Sequence, residues 1–228
     1  MIEFVLLDLD DTILDFGRAE AVALADTLRR IGVEPTEATV SRYSAINRAQ
    51  WELLELGQLT RAEVKLRRFQ LLFDELGVDA SAEDARSFYE NRLAVGHYFL
   101  AGAEELLRTL RGRYRLFIVS NGTTAVQQGR IASAGIEPFF ERIFLSEQIG
   151  AVKPDPAFFD ACFAAIEGFD PARAIIVGDS LTSDILGGIN AGIRTCWFNP
   201  HGKAARDDIR PDYTIASLDA LPALLQRL

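Results

Sequence analysis

Short apolar runs alternate with longer segments of helical periodicity along much of the chain. Runs such as "FVLL" and "AIIV" are apolar at successive positions rather than at every second one, which is typical of parallel strands covered on both faces. The predicted strands are 4–10, 115–120, 142–146, 174–180 and 194–198, with a weaker sixth at 213–216. The predicted helices among them are about 102–112, 123–134, 155–167, 182–191 and 218–228. This alternation predicts an α/β fold, a doubly wound, mostly parallel, Rossmann-like sheet.

One long stretch interrupts the alternation. From 16 to 97 no strand is predicted, and four segments of helical periodicity follow one another, each beginning near Ser, Thr or Pro. The segments end at Gly32, Gly57, Gly77 and Gly96. These residue types are the ones that cap helix starts and helix ends. The sequence therefore predicts an all-helical domain at 16–97, inserted into an α/β core domain made of 1–15 and 98–228.

Composition and charge exclude several classes of protein. The chain has 228 residues, 49% of them hydrophobic, and a formal net charge of −9, which argues against a nucleic-acid polymer or an anionic membrane as partner. No apolar stretch reaches the length needed to span a bilayer. The two cysteines, Cys162 and Cys196, have no metal-type spacing and are expected to be reduced thiols. We expect a cytoplasmic protein, a monomer or small homo-oligomer, that acts on a small molecule.

Polar residues follow four of the predicted strands. In doubly wound sheets, ligands bind beyond the carboxyl ends of the strands. The residues found there are Asp8, Asp10, Asp11 and Thr12, then Ser120, Asn121 and Gly122, then Lys153, and finally Asp179, Ser180, Ser183 and Asp184. Taken singly, each set has an ordinary explanation as a turn or helix cap. Together they predict a functional site at one edge of the sheet.

The residue types at this edge suit a phosphate and a divalent cation. Asp8 and Asp179, on neighbouring strand ends, are able to surround Mg²⁺, which prefers a few carboxylates, waters and a substrate phosphate. Ser120 and the backbone amides after it offer donors to phosphate oxygens. Lys153 adds a positive charge for the transferring group.

Four segments in this order resemble the signatures of a known family. "DLDDT", "SNG", "VKPD" and "GDSLTSD" are similar to the four motifs of the haloacid dehalogenase-like (HAD) superfamily of phosphohydrolases, and the helical insertion resembles its type-1 cap domain. The resemblance implies that Asp8 is the nucleophile that forms an aspartyl-phosphate, a known use of carboxylates. It implies that Asp10 is the general acid and then the base. Thr12 would help position Asp10.

The same resemblance implies the remaining roles. The expected phosphate-binding residues are Thr12, Ser120, Asn121 and Lys153. The expected Mg²⁺ ligands are Asp8, the main-chain carbonyl of Asp10 and Asp179, with Asp184 at or just outside the coordination sphere. Asp11 is expected to cap the backbone beside the site.

Several alternatives stay open. A metal-free 2-haloacid dehalogenase shares the fold but lacks an acid two residues after the nucleophile, where this chain has Asp10. A phospho-accepting signalling domain combines similar residues but is shorter and has no helical insertion. A degenerate relative kept as a binding protein would be expected to have lost catalytic residues, and all of them are present here.

Two separated segments, one in the insertion and one in the core, carry the information about the substrate. "YSAINRAQWELLELGQLTRAEVKLRRF" and "GDSLTSDILGGINAGIRTCWFNP" resemble a bacterial subgroup of pyrimidine 5′-nucleotidases, which implies a nucleoside monophosphate as substrate. A sugar phosphate or another small phosphomonoester is the alternative.

Three residues are candidates for choosing the substrate. A base needs an aromatic face and a few amide groups, which Phe16, Asn47 and Trp51 are able to supply, although the helical spacing of Trp51 also suits a core residue. The arginines of this region, Arg48, Arg67 and Arg68, are expected on solvated helix faces. Lys203 and His201 lie in a predicted surface loop, and any contribution they make to the pocket is expected at its border.

Overall fold

A computed structural model describes all 228 residues, which form one parallel sheet flanked by helices. The strands are β1 (Phe4–Leu7), β2 (Arg115–Ser120), β3 (Arg142–Leu145), β4 (Ala174–Gly178), β5 (Arg194–Phe198) and β6 (Tyr213–Ile215). Their order across the sheet is β3-β2-β1-β4-β5-β6, and every pair is parallel. The predicted fold class is confirmed, and the order reverses beside β1, which pairs with both β2 and β4.

Ten α-helices surround the sheet or precede β2. They are α1 (Phe16–Arg30), α2 (Glu37–Glu55), α3 (Arg61–Leu76), α4 (Ala82–Leu93), α5 (Ala103–Leu110), α6 (Thr124–Ala134), α7 (Ser146–Ile149), α8 (Pro156–Ala164), α9 (Leu186–Asn190) and α10 (Leu221–Leu225). The predicted helix 182–191 is in fact a wide π turn over Leu181–Ile185 that runs into α9. None of these helices combines the length and apolar composition that crossing a bilayer requires.

Both faces of the sheet are covered, as the uninterrupted apolar runs predict. On one face Val5, Leu7 and their neighbours in β2 and β4 pack with α5 and α10. On the other face Phe4 and Leu6 pack with Phe158 of α8. The polar residues that follow the strands are thereby held at the carboxyl edge of a rigid, buried layer.

The four helices α1–α4 lie between β1 and β2 in sequence and share a hydrophobic cluster of their own. Each begins at a residue whose side chain accepts a backbone N–H: Asp15, Thr36, Thr60 and Ser81. This is the cap chemistry that the sequence indicates. We use "the cap" for 16–97 and keep the two-domain boundaries as a prediction.

Candidate active site

The loop after β1 places three carboxylates at the carboxyl edge of the sheet. Asp8, Asp10 and Asp11 all line one cavity. Asp11 has a positive φ of 57° and its Oδ1 accepts the backbone N–H groups of Phe16 at 2.9 Å and Gly17 at 3.4 Å. The expected backbone-capping role of Asp11 is confirmed.

Lys153 forms the centre of a buried ion cluster. Its Nζ donates to Asp184 Oδ1 at 2.6 Å and to Asp8 Oδ1 at 2.7 Å, and to the carbonyl oxygen of Val119 at 2.8 Å. Burial alone would lower the pKa of Lys153, but the carboxylates of Asp184 and Asp8 raise it above its usual value. Lys153 is therefore a fixed positive charge beside Asp8.

Three carboxylates converge where a cation would lie. Asp8, Asp179 and Asp184 each offer an oxygen, and these oxygens lie within 4.8 Å of one another. Gly178 makes this possible, because a Cβ on it would lie 2.2 Å from Asp184 Oδ2. Hard carboxylate oxygens in a small group are the donors that Mg²⁺ prefers, so these residues fit the ion.

The charges of the cluster are not balanced by the protein alone. Burial, together with Asp184 and Asp10, raises the pKa of Asp8 well above its usual range, and Lys153 opposes this only in part. Burial and the nearby Asp184 raise the pKa of Asp179 to about 7, although Lys203 Nζ donates to Asp179 Oδ2 at 2.9 Å. An added dication would favour the charged form of both carboxyls.

The turn after β2 supplies donors. Ser120 Oγ accepts from Gly122 N at 3.1 Å and from Gln127 Nε2 at 2.8 Å, so the hydroxyl proton is free to donate into the cavity that it lines. Asn121 pairs through its amide with the backbone of Lys153, at 2.8 and 2.9 Å. Asn121 therefore ties the turn to the lysine loop while lining the same cavity.

Asp10 is held by residues that the sequence analysis did not single out. Gln127 Nε2 donates to Asp10 Oδ2 at 2.6 Å, and the guanidinium of Arg130 bonds to Asp10 Oδ1. Thr12 makes no such contact: it is fully buried, its hydroxyl has no hydrogen-bond partner and it does not line the cavity. The structure thus shows neither contact expected of Thr12, and the side chains that hold Asp10 are Gln127 and Arg130.

The cap forms the other wall of the cavity. Its lining residues are Phe16, Trp51, Glu55, Arg68, Glu90 and Leu93. Phe16 and Trp51 therefore line the cavity, as expected from the sequence. Asn47 is different: it is 2% exposed and does not line the cavity, and its amide is used by Glu20, Trp51 and Arg68.

Arg68 corrects an expectation. It is 3% exposed rather than solvated, and its Nη1 donates to Asn47 Oδ1 at 3.0 Å. Because Trp51 Nε1 donates to the same oxygen at 3.1 Å, Asn47 holds both cavity residues in place. Asn47 itself therefore supports the cavity wall rather than forming part of it.

Two cap side chains reach the motif loops of the core. Arg61, at the start of α3, donates to the carbonyl oxygen of Asn121 and to Ser146 Oγ, both at 2.6 Å, and stacks 5.5 Å from the ring centre of Trp51. Glu55, at the end of α2, accepts from Thr182 Oγ1 at 3.1 Å. These contacts place the α2–α3 turn over the site.

Gln127, Arg130 and Arg61 were not predicted as site residues, and the sequence contains only a weak signal for them. Gln127 and Arg130 are three residues apart on the helix that follows "SNG", which puts them on one face. Arg61 directly follows the residue that caps α3. Helical spacing alone does not say which face of a helix meets the site, so only the three-dimensional structure shows that these residues contact it.

Comparison with known proteins indicates the same family as the four sequence motifs. The family model described as haloacid dehalogenase-like hydrolase matches residues 2–192. The chain is 40% identical over 220 residues to the pyrimidine 5′-nucleotidase PynA of Streptococcus pneumoniae, covering 96% of this chain and 93% of that one. It is 31% identical to the pyrimidine 5′-nucleotidase YjjG of Escherichia coli, covering 98% and 97%. The magnesium-bound crystal structure of YfnB from Bacillus subtilis superposes with a TM-score of 0.94 at 38% identity, covering 98% of each chain.

Proposed function

The chain belongs to the haloacid dehalogenase-like hydrolase family, and from that premise we propose that it is a Mg²⁺-dependent phosphomonoesterase that hydrolyses nucleoside 5′-monophosphates, pyrimidine nucleotides above all. The observation that carries the proposal is the ion cluster at Lys153, which puts a fixed cation 2.7 Å from one oxygen of Asp8. A phosphoryl group bound there would lie between a nucleophile, a cation and the donors of the turn after β2.

The reaction has two balanced steps. In the first, an oxygen of Asp8 attacks phosphorus, the bond from phosphorus to the leaving oxygen breaks, and Asp10 in its acid form gives that oxygen its proton. In the second, water gives a proton to Asp10 and attacks the same phosphorus. The bond to Asp8 then breaks, inorganic phosphate leaves, and Asp10 is again an acid.

The other residues bind and orient. Lys153 and Ser120 would hold phosphoryl oxygens, and Asn121 would keep the lysine loop against the turn after β2. Asp8, Asp179 and Asp184 would hold Mg²⁺. When bound, Mg²⁺ would offset negative charge on the phosphate and on these carboxylates.

The nucleotide preference rests on the relatives and on the cap wall. Two relatives that match nearly the whole chain are pyrimidine 5′-nucleotidases. In this chain Phe16 and Trp51 give the cavity aromatic surface, and Arg68 adds a buried guanidinium. A flat base with polar edges suits such a wall, because rings stack on aromatic faces while a few donors fix their orientation.

Phosphate release from a substrate panel tests the proposal. The panel holds pyrimidine and purine 5′-monophosphates, sugar phosphates and a 2-haloacid, each with Mg²⁺ and with chelator, and Asp8→Asn is the control. We expect Mg²⁺-dependent release that favours pyrimidine nucleotides and is lost in Asp8→Asn. Release that favours sugar phosphates would overturn the nucleotide assignment. Halide release without metal would overturn the phosphatase assignment.

A further inference from the structure

A buried arginine connects the acid–base residue to the junction between cap and core. Arg130 of α6 is 0% exposed. Its guanidinium bonds to Asp10 Oδ1, its Nε donates to the carbonyl oxygen of Gly96 at 2.9 Å, and its Nη1 lies 3.2 Å from Gln127 Oε1. Gly96 belongs to the connection between α4 and the core. One side chain therefore contacts both the reacting site and that connection.

The opposite connection is also within reach of Arg130. Phe16 begins α1, where the chain enters the cap, and the guanidinium of Arg130 lies 5.6 Å from its ring centre. The backbone of α6 is equally close to the return connection, because a Cβ on Gly129 would lie 2.8 Å from the carbonyl oxygen of Ala94. α6 thus packs tightly where the chain leaves the cap.

Stability alone is a poor explanation for this arginine. A buried guanidinium has a large desolvation penalty, and a buried ion pair that is replaced as a whole by apolar side chains of similar volume often leaves a protein as stable or more stable. Arg130 Nη2 is moreover buried without any hydrogen-bond partner. A group that served only to fill space would not need a charge that the fold leaves incompletely satisfied.

We propose that Arg130 and Gln127 are positioning residues that fix the Asp10 carboxylate in relation to the cap junction. Both oxygens of Asp10 are engaged, Oδ1 by Arg130 and Oδ2 by Gln127 at 2.6 Å. The orientation of Asp10 therefore depends on where Gly96 and Phe16 hold the guanidinium. The inference rests on the proposed function, in which Asp10 is the general acid and base.

The two half-reactions need Asp10 differently, which makes the inference testable. A nucleoside alkoxide needs a proton from Asp10 in the first step, whereas nitrophenolate leaves without one. The second step needs Asp10 as base whatever the leaving group was. A misplaced Asp10 should therefore slow the first step for a nucleotide but not for p-nitrophenyl phosphate, and should slow the second step for both.

The experiment is pre-steady-state kinetics of Arg130→Met with both substrates and Mg²⁺. With p-nitrophenyl phosphate we expect a burst of about one nitrophenolate per active site at nearly the wild-type rate, followed by slow turnover. With the nucleotide we expect no burst and a kcat lower by about 10²-fold, the lower end of the range attributed to general acid–base catalysis, with little change in KM. Arg130→Lys, which keeps a cation, should recover part of kcat.

Matched controls separate positioning from folding. Arg113→Met replaces an exposed arginine and Gln128→Met an exposed neighbour of Gln127 on the same helix, and both should behave as wild type. If Arg130→Met does not fold, Gln127→Met decides the question through the same burst pattern. Equal slowing of the burst and of nucleotide turnover in a folded variant would overturn the inference, as would wild-type kinetics with both substrates.

The outcome is separable from the test of the proposed function. If wild type releases no phosphate, or Asp8→Asn releases as much as wild type, the proposed function fails. If wild type and Asp8→Asn behave as proposed while Arg130→Met lacks the burst pattern, only the inference about Arg130 fails.

Discussion

Lys153 Nζ lies 2.7 Å from Asp8 Oδ1, so the proposed nucleophile shares a buried position with a permanent cation. The same ammonium bonds to Asp184. Two carboxylates of the site therefore depend on one lysine for charge compensation, so the fold and the proposed chemistry share one ion cluster.

Replacing Lys153 should cost stability as well as activity. We expect Lys153→Met to lower the free energy of unfolding by about 3–5 kcal/mol, the loss seen when one partner of a buried ion pair is removed. Lys203→Met is the comparison, because Lys203 is half exposed on Asp179 and should contribute about 1 kcal/mol or less. Urea denaturation in chelator measures both values. Equal losses in the two variants would contradict the role of burial.

The contact between cap and core through Arg61 should affect substrate affinity. Arg61→Met loses two hydrogen bonds of 2.6 Å to the core and the stacking on Trp51. Hydrogen bonds from a charged group contribute about 1.5–3 kcal/mol, so we expect KM for a nucleoside monophosphate to rise about tenfold or more. Arg67→Met, on an exposed face of the same helix, should leave KM unchanged. An unaltered KM in both variants would show that the contacts of Arg61 with the core do not affect substrate affinity.

Glu55 should make stability depend on pH. Burial raises the pKa of Glu55 to about 7, while the hydrogen bond from Thr182 acts in the opposite direction. The folded protein therefore holds a proton that the unfolded chain releases above about pH 4.5, so stability falls as pH rises from there through 7. In Glu55→Gln this loss disappears. We expect its Tm in chelator to equal that of wild type near pH 4.5 and to exceed it by about 5 °C at pH 8. A Tm difference that is independent of pH would show that Glu55 titrates normally.

The two thiols should be inert in the native protein. Cys162 and Cys196 are buried and unpaired, and burial raises the pKa of each to about 12. Because the thiolate is the reactive form, we expect no labelling by iodoacetamide at pH 8 within the time in which a small-molecule thiol reacts completely. Denaturation in urea should expose two reactive thiols per chain. Rapid native labelling of either cysteine would contradict the buried position.

The motif residues of the core were predictable because parallel strands end at a common edge. Asp8, Asp179 and Asp184 meet there although the last two lie far along the chain from the first. The cap was less predictable. Asn47 and Arg68 lie on the buried faces of α2 and α3, and helical period does not say whether such a face meets the cavity or another helix.

The helix expected after β4 shows a second limit. Asp184 Oδ2 accepts Ser180 N at 3.1 Å, and Ser180 Oγ accepts Ser183 N at 3.2 Å. These local bonds accompany a widened first turn, which brings Asp184 against Gly178 and Lys153. Helix propensity predicts that a helix is present there. The width of its first turn depends on hydrogen bonds from side chains, which the periodic pattern of the sequence does not predict.

The position of the cap between β1 and β2 also has a consequence for how the chain folds. Leu7 pairs with Ile118 and Val177, so the central strand obtains its neighbours only after all of α1–α5 and a large part of the core have been synthesised. Closing such long loops costs entropy before any sheet contact compensates it, which slows folding. Meanwhile the apolar segment Phe4–Leu7 has no partner strand. Until β2 and β4 have been synthesised, this segment therefore exposes an unpaired apolar strand, which favours aggregation.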